Sequence, residues 1–375
     1  MKAFDPHPKK HILSHVLGLL WTLGLLIHAQ AQQPDHGLKF ANGDRILFLG
    51  DSITQDGRYV AFIETFLWAA YGHLDLTVIN MGVSAETVSN TTEPGHGRRP
   101  WVHDRVAPAL EIARPDWVFI CYGMNDGNYY PARDDIQQAY LDNLERLIDL
   151  VHATGARIIL LTPPPFDPIS KPQKNLLPPG QAVYGYGQTY SLYDDTLVAL
   201  GALAKGRFGH EVAMTVDIHT PLADYIATSR QQDAGYRYGD GVHPPLDGHL
   251  AFALAILNGI GESSEKAHQL LTQLTGVDLK TNPGAKDATE PQNQLWKSIL
   301  DRFNPLSRAY RENTFPGLNR EPLSLGETFE KPRNRKASFG RGSTGNSTRD
   351  HKEARMRMKP LFSVKYLNAG MQEGV

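Results

Sequence analysis

What most limits the fold of this chain is the recurrence of short apolar, β-branched runs separated by segments of helical periodicity. Runs at residues 45–49, 76–80, 117–121, 157–162 and 211–216 are each the length of one strand. Between them, residues 59–71, 134–153 and 189–208 carry apolar residues at helical spacing. This alternation predicts an α/β fold, with a parallel sheet covered by helices on both faces and right-handed crossovers between strands. With 375 residues, 41% of them hydrophobic, the chain has room for one large α/β domain plus extensions.

In open sheets of this kind, functional residues collect beyond the carboxyl ends of the strands. Gly50-Asp51-Ser52 follows the first run, the 82–87 loop the second, and Gly123-Met124-Asn125-Asp126 the third. Asp240-Gly241-Val242-His243 follows the last strand and precedes an apolar helix at 248–257. Two long loops rich in Pro and Gly, 91–101 and 163–187, come after the second and fourth strands. Long loops are uncommon unless they serve a function, and these two share the rim with the motifs, so they are expected to shape a substrate cleft.

A hydroxyl is a weak nucleophile at neutral pH and needs a base, which in turn needs a group to orient it. Ser52 stands where a strand turns towards a helix, and Gly50 permits the sharp departure that exposes its hydroxyl. Asp240 and His243 are three residues apart in a turn containing Gly241 and ending in Pro244-Pro245, which can bring the carboxylate to one imidazole nitrogen and leave the other free. Donors for an oxyanion are available from the Ser52 amide, an amide of the 82–87 loop and the Asn125 side chain. Each element alone has a plainer reading. A serine in a turn usually caps a helix, an asparagine forms turns, and an Asp–His pair can be a surface turn or half a metal site. Their order after successive strands of one sheet gives them their combined weight.

In these four segments the chain resembles the SGNH, or GDSL-type, hydrolases over residues 44–257, the second segment reading Asn80-Met81-Gly82-Val83-Ser84-Ala85-Glu86-Thr87. The resemblance implies a flavodoxin-like three-layer α/β/α sandwich with a five-stranded parallel sheet. It also implies Ser52 as nucleophile, Asn125 as a side-chain oxyanion donor, Asp240 as the orienting acid and His243 as the general base. Many members carry a second glycine in the second segment where this sequence has Ala85. The oxyanion amide is therefore assigned to Ala85, with Gly82 as the fallback. No cofactor is implied, and no clustered Cys or His motif has the spacing of a metal site. No Gly-x-Gly-x-x-Gly turn follows the first strand, no P-loop is present, and Ser52 lacks the flanks of a Gly-x-Ser-x-Gly elbow, which argues against dinucleotide-binding, phosphate-binding and α/β-hydrolase readings.

Lys2, Lys9 and Lys10 precede an apolar run at 12–27 and the Ala29-Gln30-Ala31 sequence, the pattern of a signal peptide cleaved near Ala31. The protein is accordingly expected to be exported, to the periplasm or beyond, with no stable membrane span. The only cysteine, Cys121, sits in an apolar run and reads as a buried, inert thiol. A net charge of −2 offers no field for nucleic acid. The domain assignment is 1–31 signal peptide, 40–262 hydrolase domain, 263–330 helical and irregular extension with a helix at 292–303, and 331–375 a disordered basic tail.

His249 and His219 read as structural, and His96 and His103 as flanking a loop near the site. The leading function is hydrolysis of short acyl esters on a small-molecule or polysaccharide substrate, with O-acetyl sugars favoured by the presumed export, the resemblance, and Trp101, Tyr129, Tyr130, Tyr184 and Tyr186 on polar loops. The alternatives are a lipid esterase or lysophospholipase, and a catalytically silent carbohydrate-binding relative.

Overall fold

The computed structural model describes residues 37–279 and 294–314. The segment read as a signal peptide and the basic tail lie outside the described residues. Strand β1 (Arg45–Gly50) leads into the short helix α1 (Ser52–Asp56) and then α2 (Arg58–Tyr71). There follow β2 (Thr77–Asn80), α3 (Val106–Ala113), β3 (Trp117–Cys121), α4 (Asp134–His152) and β4 (Arg157–Leu161). A two-stranded parallel pair, β5 (Leu176–Leu177) and β6 (Thr189–Tyr190), interrupts the second half before α5 (Tyr193–Phe208) and β7 (Met214–Val216). The remaining helices are α6 (His219–Gln232), α7 (Leu246–Gly259), α8 (Ser264–Thr275) and α9 (Gln294–Thr314).

The five main strands form one parallel sheet in the order β2-β1-β3-β4-β7. Side chains alternate across it, which explains why the runs are apolar throughout: both faces are covered. Ile46, Phe48 and Phe119 enter a core shared with α2, α7 and α8, while Leu47, Leu49, Val118 and Ile120 enter a second core shared with α3 and α4. The expected three-layer α/β/α sandwich is what the chain forms. Cys121 is buried as expected, and burial pushes its thiol well above the usual range.

Most element boundaries fall within one or two residues of the sequence expectation, and three differ by more. Thr189 and Tyr190 pair with Leu176 and Leu177 rather than opening a helix, which begins at Tyr193. The fifth strand is limited to Met214–Val216, because Glu211 and Val212 close a turn onto Phe208. Helix α9 runs on to Thr314 through Pro305. The missing N–H of Pro305 costs a helical hydrogen bond, but burial continues beyond it: Trp296, Ile299 and Phe303 pack into the α2 side, and Leu306 and Tyr310 into the α3 side. In this way α9 passes the edge strand β2 and contacts both covering layers, shielding an edge that would otherwise be open to pairing. Among the described residues, no helix is long and apolar enough to cross a membrane.

Candidate active site

The Ser52 hydroxyl is brought out by a tight turn at the end of β1. Gly50 is required there for close approach: a Cβ on it would lie 2.2 Å from Thr54 Oγ1 and 2.7 Å from the Cys121 carbonyl. Asp51 caps α1, its Oδ1 accepting from the Ile53 amide at 2.9 Å. At Gly57, between α1 and α2, φ is +85° and a Cβ would meet the Phe303 ring at 2.4 Å, so the turn admits only glycine.

Across the rim, the Asp240–His243 turn brings two stretches of chain almost 200 residues apart together. Ser52 Oγ lies 2.8 Å from His243 Nε2, and His243 Nδ1 lies 3.0 Å from Asp240 Oδ2. Asp240 Oδ1 accepts from the amides of Val242 and His243 at 3.0 and 2.7 Å, and Oδ2 also accepts from the Tyr186 hydroxyl at 2.8 Å. A carboxylate can only accept, so Nδ1 carries the proton and Nε2 presents its lone pair to the Ser52 hydroxyl.

These contacts set the charge states. Burial alone would raise the Asp240 carboxyl, but the hydrogen bonds from His243 and Tyr186 outweigh it and hold the group far below the ordinary range. The hydrogen bond to Asp240 raises His243 above its usual value, against the effect of burial. The side chains of His243 and Asp240 are 40% and 43% exposed, so the line is open to an incoming ester.

The 82–87 loop is tied beside Ser52. The Val83 amide donates to the Gly50 carbonyl at 2.9 Å, and the Ser84 amide to Gln55 Oε1 at 2.7 Å. Ala85 holds φ +61°, the left-handed conformation that the absent glycine would adopt without strain. The amides of Ser52 and Ala85 have no partner among the described residues. Gly82 departs from the fallback assignment: its amide donates to Asn80 Oδ1 at 2.8 Å and is thereby engaged. Asn80 Nδ2 in turn donates to the Thr54 carbonyl, fastening β2 to α1.

Asn125 is 4% exposed. Its Oδ1 accepts from Arg99 and Tyr129, each at 3.0 Å, and its Nδ2 donates to the Glu86 carbonyl at 3.2 Å, leaving one N–H uncommitted. The segment containing Asn125 is held by Asp126, whose buried carboxylate accepts from the amides of Val88, Ser89 and Gly123.

Both long loops reach this rim, as their position in the sequence suggested. Loop 91–101 supplies the buried Arg99–Glu93 pair, and loop 163–187 supplies Tyr186 and Lys171, whose Nζ stands 3.9 Å over the Tyr186 ring. No periodicity marks such contacts, and sequence reading missed Arg99, Glu93 and Lys171 altogether. Of the five loop aromatics counted in favour of a sugar substrate, Tyr129, Tyr130 and Tyr184 are buried in packing clusters, and Trp101 is half-buried with its Nε1 donating to the Val88 carbonyl. Only Tyr186 among them is exposed.

The other histidines take structural places. His249 is fully buried against Tyr59, near Asp56, and burial depresses it to about 3. His219 opens α6. His103 bonds the Asn143 carbonyl and His96 the Gly97 carbonyl, away from the Ser52 line.

Residues 48–251 match the GDSL-like lipase/acylhydrolase family. An acetylxylan esterase of Geobacillus stearothermophilus is 28% identical over 241 residues, which cover 60% of this chain and 97% of that protein. Among solved structures, a catalytic mutant of an acetylxylan esterase from the same organism is 24% identical with a TM-score of 0.45, covering 60% of this chain and 98% of that one. A gut microbial diltiazem-metabolizing enzyme is 20% identical with a TM-score of 0.45; the match covers 60% of this chain and spans 48% of that enzyme. With the family matched over more than half of its length, the chain belongs to the GDSL-like lipase/acylhydrolase family and is a carboxylic ester hydrolase.

Proposed function

We propose that the protein is an exported serine esterase that removes short acyl groups, foremost O-acetyl groups, from carbohydrate through a Ser52–His243–Asp240 triad and an acyl-enzyme. The observation that carries this reading is the continuous hydrogen-bonded line from Ser52 Oγ through the imidazole to Asp240. In the first half-reaction His243 Nε2 takes the hydroxyl proton as Ser52 Oγ bonds to the ester carbonyl carbon. The resulting oxyanion is met by the amides of Ser52 and Ala85 and by the free N–H of Asn125, each such donor being worth about 2.7–4 kcal/mol in the transition state. Collapse breaks the bond to the sugar oxygen, which leaves as an alcohol carrying the proton from His243. A water then repeats the sequence on the acyl-enzyme, giving acetate and free Ser52. Throughout, Asp240 balances the imidazolium.

The carbohydrate preference draws on the acetylxylan esterase relative and on the export expected from the N-terminal sequence. It draws little on the aromatic residues, most of which are buried. The test is hydrolysis of p-nitrophenyl acetate by wild type and Ser52→Ala, with chain length varied from acetate to decanoate and acetylated xylan as polymer substrate. Loss of several orders of magnitude in Ser52→Ala, with preference for acetate, is the expected result. An unchanged rate in Ser52→Ala sinks the triad, and a preference for long chains replaces the carbohydrate reading with a lipid one.

A further inference from the structure

We propose that Arg99, held by Glu93, is a positioning residue that sets the donor face of the oxyanion hole by fixing the amide of Asn125. This rests on the serine-esterase reading above. Arg99 is 3% exposed, and its Nε and Nη2 grip the two Glu93 oxygens at 2.7 and 2.5 Å. That fork leaves Nη1, which points at two acceptors: Asn125 Oδ1 at 3.0 Å and the Ala85 carbonyl at 3.4 Å. Both acceptors belong to residues assigned to stabilise the oxyanion.

The two ends of Asn125 have almost the same shape, and only its neighbours decide which end faces the ester. Guanidinium can only donate, so it demands the oxygen; a flipped amide would set N–H against N–H in a buried place, at the cost of an unsatisfied donor. With Oδ1 fixed by Arg99 and Tyr129, Nδ2 is directed to the opposite side, where one N–H meets the Glu86 carbonyl and the other is free. The cation beside Oδ1 also draws electron density along the amide, making that free N–H a stronger donor. At Ala85 the same Nη1 steadies a peptide whose φ of +61° lies in the left-handed region that disfavours an alanine.

Glu93 extends the bracing to the other half of the site. Its Oε1 accepts from the Tyr186 amide at 3.3 Å, and the Tyr186 hydroxyl bonds Asp240 Oδ2. One buried ion pair thus links the oxyanion donors to the acid of the triad. A buried pair of this kind adds little to stability over an apolar replacement, so its place at this junction is better explained by what it orients.

The experiment measures kcat and KM on p-nitrophenyl acetate for Arg99→Gln, for Glu93→Gln/Arg99→Gln, and for Asn125→Ala alone and combined with each. The double neutral variant leaves no lone buried charge, so it serves if Arg99→Gln does not fold. Expected is a roughly 10–100-fold fall in kcat with KM within about twofold, and disappearance of that fall in the Asn125→Ala background, where there is no amide left to orient. A full loss in both backgrounds, or unchanged kcat in the Arg99 variants while Asn125→Ala is impaired, overturns the inference alone. Wild-type kcat in Asn125→Ala or in Ser52→Ala overturns the reading of the site beneath it.

Discussion

Asp51→Asn is the sharpest probe of the electrostatics around Ser52. Asp51 is 3% exposed; burial raises its carboxyl to about 7, an effect opposed by the Ile53 amide and His243 and reinforced by Asp126 and Glu86. The unfolded chain holds the same group at the ordinary 3.8. Below pH 3.8 both states are protonated and ionisation costs the fold nothing. From 3.8 to 7 the unfolded chain alone releases the proton, and stability falls by about 1.4 kcal/mol per pH unit until the native group ionises as well. The total loss is of order 4 kcal/mol above pH 7. Asparagine cannot ionise, yet it accepts from the Ile53 amide as a helix cap. Urea unfolding of both proteins from pH 4 to pH 8 should therefore show the variant gaining on wild type by about that 4 kcal/mol, with unchanged m-values. A stability difference that stays constant across this range would refute the assignment.

Three further outcomes follow from the same contacts. As the proposed general base, His243 must be neutral to accept a proton, and Asp240 raises its pKa, so kcat/KM should fall with decreasing pH through an ionisation above 6.5, the value of a free imidazole; a limb below 6.5 contradicts the pairing. Tyr186→Phe removes one donor to Asp240 Oδ2, leaving that oxygen to bind the imidazolium more strongly, so the acidic limb should move to higher pH while kcat drops about 10-fold, and an unmoved limb would count against it. Phe303→Ala, in a helix beyond the family-matched residues, empties the space against Gly57 and should cost about 3–5 kcal/mol in denaturant unfolding, with less than 1 kcal/mol showing that α9 is not part of the fold's support.

The sheet was readable because each strand is buried on both sides and therefore apolar from end to end; Trp117–Cys121 matches its expected bounds. The rim positions of Ser52, Asp240, His243 and Asn125 were readable because they sit directly after strands, or in the turn before α7, where the chain has little choice of position. The loops were opaque. Arg99 and Glu93 are six residues apart in a stretch without periodicity, and nothing local reveals that the guanidinium turns inward to Asn125. The same limit explains Tyr129, Tyr130 and Tyr184: an aromatic residue on a polar loop looks alike whether it faces solvent or closes a core. Gly82 and Ala85 could be ranked only once the Gly82 amide was seen bonded to Asn80.

The central claim is that the Ser52 hydroxyl is the nucleophile activated by His243. Treatment with a fluorophosphonate followed by peptide mass spectrometry tests it directly, since only an activated hydroxyl displaces fluoride at a useful rate. One adduct, on the peptide containing Ser52, is expected in wild type, together with loss of esterase activity; His243→Ala should slow labelling by several orders of magnitude. An adduct on another residue, or hydrolysis that continues with Ser52 fully modified, would contradict the account.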